Sequence, residues 1–230
     1  MLLALAAAAP APAGQTPASA QPDPTDRGTF ELYAAGKSIG TERFEIRSHA
    51  EQVEAQSEIH LQVEQAGKVV EARTTSNLVL DPQLRPLAYT WTQRGTQSSH
   101  LEIDFRSSPV RTHYKTVSGQ KDEREFKLPK DVVVLDDNVL HHYQLLLDRY
   151  DPAAGGKQTF QAFIPQEALP GVVTVEQAGM GPAPRGESAQ NLRHFVLTTE
   201  LARVDLWVDS NTHLQAVAVP EAQFQAVRKK

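Results

Sequence analysis

The sequence predicts a mainly β protein: an antiparallel meander forming a curved sheet or open barrel of roughly 11–13 strands packed around one α-helix. Three observations predict it. Runs of alternating dry and wet residues recur from Gly28 onward, turn residues punctuate them at short intervals, and one stretch alone keeps the helical period.

The first strands are Phe30 to Ala34 and Ile39 to Arg47, joined by the turn Ala35-Gly36-Lys37. Apolar parity shifts between Ile39 and Phe44, which places a β-bulge at Gly40. The next pair is the clearest. Val53, Ala55, Ser57, Ile59, Leu61 and Val63 alternate with polar neighbours, and Val70, Ala72, Thr74, Ser76, Leu78 and Leu80 do the same. A two-residue turn at Ala66-Gly67 sets Val63 opposite Val70, Leu61 opposite Ala72, Ile59 opposite Thr74 and Ser57 opposite Ser76. Turn length and hydrophobic pattern thus fix one register independently. Further strands run from Leu87 to Arg94, Ser99 to Arg106, Val110 to Val117 and Glu123 to Leu128. A helix follows over Asn138 to Arg149, capped by Asp136-Asp137. Val139, Leu140, Tyr143, Leu146, Leu147 and Tyr150 fill an apolar arc of about 120°, and His141, Gln144 and Asp148 form the polar face. Strands resume at Gln158 to Ile164, Val172 to Gln177, Arg193 to Thr199, Val204 to Val208, Leu214 to Val219 and Phe224 to Arg228, with a loop over Gly179 to Gly186.

Residues 2–9 are an unbroken apolar run too short to span a bilayer. Small residues at signal-peptidase spacing follow, Ala11-Pro12-Ala13 and Ala18-Ser19-Ala20. The reading is a signal peptide over 1–20 that lacks a positive n-region, a leader over 21–27 that packs on nothing, and one β-rich domain over 28–230. The expected location is the periplasm.

Composition excludes whole classes of chemistry. With no cysteine there is no disulfide, thiolate nucleophile, Cys-ligated zinc, iron–sulfur cluster or lipidated N-terminal cysteine. A net charge of -5 and a pI near 5.9 argue against nucleic acid as a partner. No run suits stable membrane insertion.

Motifs that could carry catalysis are weak. Gly36-Lys37-Ser38-Ile39-Gly40 matches G-x-S-x-G, but a nucleophile elbow opens a helix and here a strand follows. A phosphate loop would need glycine where Glu31 stands. Asp137, His141 and His142 could share a metal, yet they fall on the helix's polar face without a second ligand pair, so solvated surface is the better account. His60 and His100 take wet strand positions. Asp205 and Asp209 lie about 13 Å apart along a strand, too far for a two-carboxylate hydrolase. Trp207 lies between them as a packing residue or a stacking platform. No catalytic residue, metal or cofactor is expected.

Ala55, Ser57, Ala72, Thr74 and Ser76 are small at inward positions and make room for something. Either the helix fills it or an apolar ligand does, with the helix as plug. The candidate cavity lining is Ala55, Ser57, Ile59, Ala72, Thr74, Ser76, Trp91, Tyr143, Leu146 and Leu147.

The opening Gly28-Thr29-Phe30-Glu31-Leu32-Tyr33 with Gly36-Lys37-Ser38-Ile39-Gly40 resembles exported bacterial proteins of unknown function. So does the close, Leu206-Trp207-Val208-Asp209-Ser210-Asn211 leading to Val217-Ala218-Val219-Pro220. In layout the chain is similar to the open half-barrels of the periplasmic lipoprotein carriers LolA and LolB. The resemblance implies an exported binding protein and carries over no functional residue. The expectation is a non-enzymatic binding or carrier protein for a lipid or acyl chain held between sheet and helix. The alternatives are an envelope assembly protein acting through protein contacts, or a hydrolase using Ser38 or the His141-His142 pair.

Overall fold

A computed structural model describes residues 25–65, 67–95, 98–116, 118–185, 191–200 and 202–229. The proposed signal peptide lies outside the described residues. The strands are β1 (Asp26–Ala34), β2 (Lys37–Ser48), β3 (Val53–Gln65), β4 (Lys68–Leu80), β5 (Pro86–Gly95), β6 (Ser99–Asp104), β7 (Val110–Thr116), β8 (Lys121–Phe126) and β9 (Val133–Val134). After α1 (His141–Leu147) come β10 (Lys157–Ile164), β11 (Leu169–Pro182), β12 (Asn191–Thr198), β13 (Arg203–Val208), β14 (Leu214–Val219) and β15 (Phe224–Arg228).

All belong to a 15-stranded sheet in the order β8-β7-β6-β5-β4-β3-β2-β1-β15-β14-β13-β12-β11-β10-β9. The first and last strands meet at its middle, with Phe30 opposite Arg228 and Ala34 opposite Phe224. Two arms therefore run outward from this central pair, β1 to β8 one way and β15 to β9 the other. Neighbours are antiparallel except β9 and β10, which are parallel. The sheet curves but does not close, since β8 and β9 are its two ends. Those ends meet through side chains: Phe163 of β10 packs on Phe126 of β8, ring centroids 5.0 Å apart, and on Phe105, 6.4 Å apart.

The expected β3–β4 register is present at every pair named above, from Val63 opposite Val70 to Ser57 opposite Ser76. The bulge is present too. Leu32 faces Gly40 but Tyr33 faces Ser38, leaving Ile39 as the extra residue. Gly40 has φ +150, and a Cβ there would lie 2.0 Å from the His60 carbonyl oxygen, so only glycine fits. The bulge turns Glu42, Phe44 and Ile46 to the inner face.

Several expectations require correction. The leader does not extend to residue 27: Asp26 opens β1, is buried, and its carboxylate accepts from Arg228 Nη2 at 2.5 Å. The strand count exceeds the expected range, in part because a buried apolar pair, Val133–Val134, is short enough to pass as loop. The segment from Gly179 is not loop as far as Pro182. β11 runs through it, with a register shift between Gln177 and Gly179. The helix is shorter than its periodicity suggests. Asn138 adopts a left-handed φ of 61, which ends any helix before Val139, and the N-cap is Leu140 with no side-chain cap of its own.

The helix's polar face also needs correcting. Of its three residues Asp148 is exposed as expected, but His141 is fully buried and Gln144 nearly so; His142 is also fully buried, whereas Tyr143 and Leu147 are half-buried. An amphipathic stripe implies solvent on the opposite side. Here the sheet curls round α1 and covers both sides, so the polar residues need partners from the strands.

Candidate functional site

The polar residues buried around α1 come from β2, β5 and the segment that leads into the helix. Glu42 of β2 is 0% exposed. Its Oε2 accepts the Leu140 N–H at 2.9 Å, and Oε1 lies 2.7 Å from His141 Nδ1 and 3.5 Å from the His141 backbone nitrogen. This carboxylate supplies from another strand the acceptors that the helix start lacks locally. The His141 ring stacks on Phe44, centroids 5.9 Å apart.

Tyr89 of β5 donates to Asp136 Oδ2 at 2.5 Å. Asp136 Oδ1 accepts the Gln166 N–H at 3.0 Å, and Gln166 Nε2 donates to the Asp137 carbonyl at 3.0 Å. Burial raises both the Tyr89 hydroxyl and the Asp136 carboxyl, and the Asp136 charge adds to the Tyr89 shift. The Asp136 N–H donates to His142 Nδ1 at 3.2 Å, which fixes the neutral tautomer with its proton on Nε2. Burial, and then the neighbouring His141, hold the His142 pKa well below its ordinary value. Gln144 ties the helix to β14: its Oε1 accepts the Leu214 N–H at 2.7 Å, and its Nε2 donates to Asp148 and to the Thr212 carbonyl.

Three ring nitrogens of this interior are buried and unpartnered: His141 Nε2, His142 Nε2 and Trp91 Nε1. The sequence-predicted lining residues differ in burial. Ala55, Ser57, Ile59, Thr74, Ser76, Trp91 and Leu146 are all buried, while Ala72, Tyr143 and Leu147 are half-buried. Ser57 and Ser76 hydrogen-bond each other at 2.9 Å. Strand register aligns Phe44, Ser57, Ser76, Trp91, Leu101, Tyr114 and Asp122 in one row across β2 to β8.

That row ends at the seam, where a cavity of about 220 Å³ lies between the arms. Leu101, Thr112, Tyr114, Asp122 and Arg124 line one side, and the loop Pro165–Ala168 the other. Lost hydration and the Glu167 carboxylate push the Asp137 carboxyl beside this loop up to about 6. Two larger depressions are present, one across β2 to β5 whose lining includes Phe44, Ser57 and Ser76 of this row with their outward neighbours, and one along the ends of the β1–β2 and β3–β4 hairpins.

Sequence reasoning found the small inward residues and Trp91 but missed Glu42, Tyr89 and Asp136. The signal for Glu42 was available. It shares the dry parity of Phe44 and Ile46, and a carboxylate on a dry face needs a partner. Ser38 is exposed near the start of strand β2, just after a hairpin turn and without the helix that a nucleophile elbow requires. Trp207 is half-buried and stacks on His194, centroids 4.8 Å apart. Asp205 is buried and takes its bonds from His194 and Arg203.

No protein-family model and no curated protein matches the chain. Among solved structures it is similar to a β-barrel-like protein of domain of unknown function DUF1849 from Brucella abortus, with a TM-score of 0.58 at 11% identity over 88% of this chain and 94% of that one. A DUF1089 family protein from Pseudomonas aeruginosa gives a TM-score of 0.45 at 14% identity over 87% and 93%. At that score the second likeness carries no weight. The first is a likeness of fold, a large curved β-barrel-like sheet.

Proposed function

We propose that the chain is an exported, non-enzymatic binding or carrier protein of the periplasm. Its ligand is apolar, a lipid or acyl chain, held between the concave face of the sheet and α1. One observation carries the reading: the sheet stays open at a seam, and the seam cavity adjoins the row that contains Ser57, Ser76 and Trp91.

A cavity of about 220 Å³ is below the ~300–1,000 Å³ of a typical ligand pocket. It takes one end of an acyl chain. Full seating requires the loop Pro165–Ala168 or α1 to yield. The competing reading, an assembly protein that adds strands to its edges, meets a charged edge at β8, where Lys121, Glu123, Arg124 and Glu125 are exposed.

The test is retention of acyl compounds by delipidated, refolded protein. Native mass spectrometry after exposure to a fatty acid and to its glycerol ester is expected to show one retained mass. Retention of neither, together with capture of a stoichiometric envelope partner, overturns the carrier reading.

A further inference from the structure

We infer that the interior recognises a neutral hydrogen-bond acceptor, the carbonyl of an acyl ester or amide, in preference to an ionised carboxylate. The inference rests on the carrier reading and specifies the polar group of its ligand.

The argument is an inventory of donors and acceptors. Tyr89, Asp136, Glu42 and Gln144 are engaged with the partners described above. Of the three unpartnered ring nitrogens, His141 Nε2 is an acceptor when the ring is neutral, since Nδ1 carries the proton toward Glu42, and the other two are donors. Trp91 is 4% exposed, and its indole N–H, which can only donate, has no partner. His142 is 0% exposed, and because its Nδ1 accepts from Asp136, its unpartnered Nε2 carries the proton. Of the paired hydroxyls of Ser57 and Ser76, one donates to the other, whose own proton is left over. Ser76 stands directly opposite Trp91, and Trp91 opposite Leu101 in the cavity wall. Trp91 is two residues from Tyr89 on the same face of β5, about 7 Å along the strand. The Tyr89 ring lies 5.7 Å from that of His142. Buried donors without acceptors are costly, and a ligand that brings an acceptor recovers that cost.

The charges nearby decide which acceptor. Glu42 and Asp136 place two buried carboxyl groups beside α1. Arg228, over the Phe44 ring at 5.3 Å, is held by Asp26 at 2.5 Å. A ligand carboxylate would add a third acidic group beside these two. Arg149, whose Nη1 is buried and unpartnered, follows the C-terminal end of α1 over the Phe160 ring at 5.6 Å. An ester or amide carbonyl accepts the same hydrogen bonds without charge. The competing arrangement puts a fatty-acid carboxylate at the seam mouth on Arg124, which is exposed and already paired with Asp122 at 2.7 Å.

The chain has two tryptophans, so its two indole N–H resonances are assigned by comparison with Trp91→Phe. Delipidated protein is titrated with monodecanoylglycerol and with decanoate near neutral pH. The expected result is saturable ester binding that shifts the Trp91 indole proton downfield, with decanoate about tenfold weaker or more. Trp91→Phe and Ser76→Ala each weaken the ester about three- to tenfold, the value of one hydrogen bond, and leave decanoate unchanged. Decanoate binding as tightly as the ester overturns the inference and leaves the carrier reading standing. So does ester binding with the Trp91 proton unmoved, which assigns the unpartnered donors to water. Binding of neither compound removes both.

Discussion

The two arms of the sheet bury their inner faces in different ways. In the arm from β15 to β9 the fully buried inward residues are apolar: Val173, Val175, Phe195, Leu197, Val204, Leu206, Val208, Leu214, Val217 and Ala226. In the arm from β1 to β8, Glu42, Ser57, Thr74, Ser76, Tyr89 and Thr112 are buried among comparable apolar neighbours. Both arms close on the same short helix. An apolar face packs by shape alone and tolerates exchange of similar volumes. A face with buried carboxyl and hydroxyl groups is held by directed bonds, and each lost partner exposes an unpaired group. The second arm is therefore specified more tightly than packing requires, and it is the arm whose polar row leads to the seam.

The largest expected effect tests this asymmetry. Glu42→Ala removes the acceptor of the Leu140 and His141 backbone N–H groups and of His141 Nδ1, at 0% exposure. Breaking a buried pair from one side costs about 3–5 kcal/mol in urea unfolding. Glu42→Gln keeps an acceptor and should recover part of the loss. Leu206→Ala in the apolar arm costs a similar ~2–5 kcal/mol as a cavity, but no polar isostere exists to recover it. If Glu42→Gln is as damaging as Glu42→Ala, the arms differ in composition only.

The next effect concerns how Glu42 comes to face inward. Gly40→Ala places a Cβ 2.0 Å from the His60 carbonyl oxygen at φ +150. Strain in such a conformation costs about 1–3 kcal/mol, and the backbone clash adds to it. Amide exchange should rise on β2 and in the helix anchored to Glu42, while β12 to β14 stay protected. Uniform loss of protection would mean that the arms unfold as one unit.

The third effect is one of pH. The folded-state pKa of His142 lies below its unfolded value, so the unfolded chain takes up this proton first as pH falls. Stability from this group is therefore lost as pH drops below about 6.5, by at most ~1.4 kcal/mol per pH unit. Asp136 and Asp137 act with the opposite sign. Their folded pKa values are raised, so the native state gains stability as pH falls toward the ordinary carboxylate range. The net curve mixes these contributions. The difference between wild type and His142→Asn, whose amide oxygen can still accept the Asp136 N–H, isolates the histidine. Parallel stability curves between about pH 7.5 and 5.5 would remove His142 from the pH response.

The same asymmetry decides what was legible in the sequence. The β3–β4 register was readable because turn length and alternation constrain it separately, and both signals are local. The burial of His141 and Gln144 was not. It depends on the far arm reaching round the helix, and a helical stripe cannot report that second wall. Glu42 falls between these cases. Its dry parity was visible, but its partners lie about a hundred residues away, at Leu140 and His141, and only the folded sheet brings them together. Trp91 and the two serines were readable as inward and small or aromatic. The donors they leave unpaired became visible once the other polar groups were seen to be engaged.

The smallest expected effect lies at the two free edges, which the arms protect by different means. β9 is two residues long and buried, so it offers little to a neighbouring chain. β8 is six residues long and carries Lys121, Asp122, Glu123, Arg124 and Glu125 in succession. Its ion pairs, such as Arg111 to Glu125 at 2.9 Å, join exposed side chains and contribute little to folding. Glu125→Thr should change unfolding free energy by no more than about 0.5 kcal/mol. If charge is what blunts this edge, then replacing Lys121, Glu123 and Glu125 together by threonine leaves the melting curve nearly in place. The same variant should produce self-association in sedimentation, reversed by restoring the glutamates. A variant that melts several degrees lower and remains monomeric would assign these charges to stability instead. The β8 edge would then resemble the polar inner face of its own arm, where charge holds the fold together.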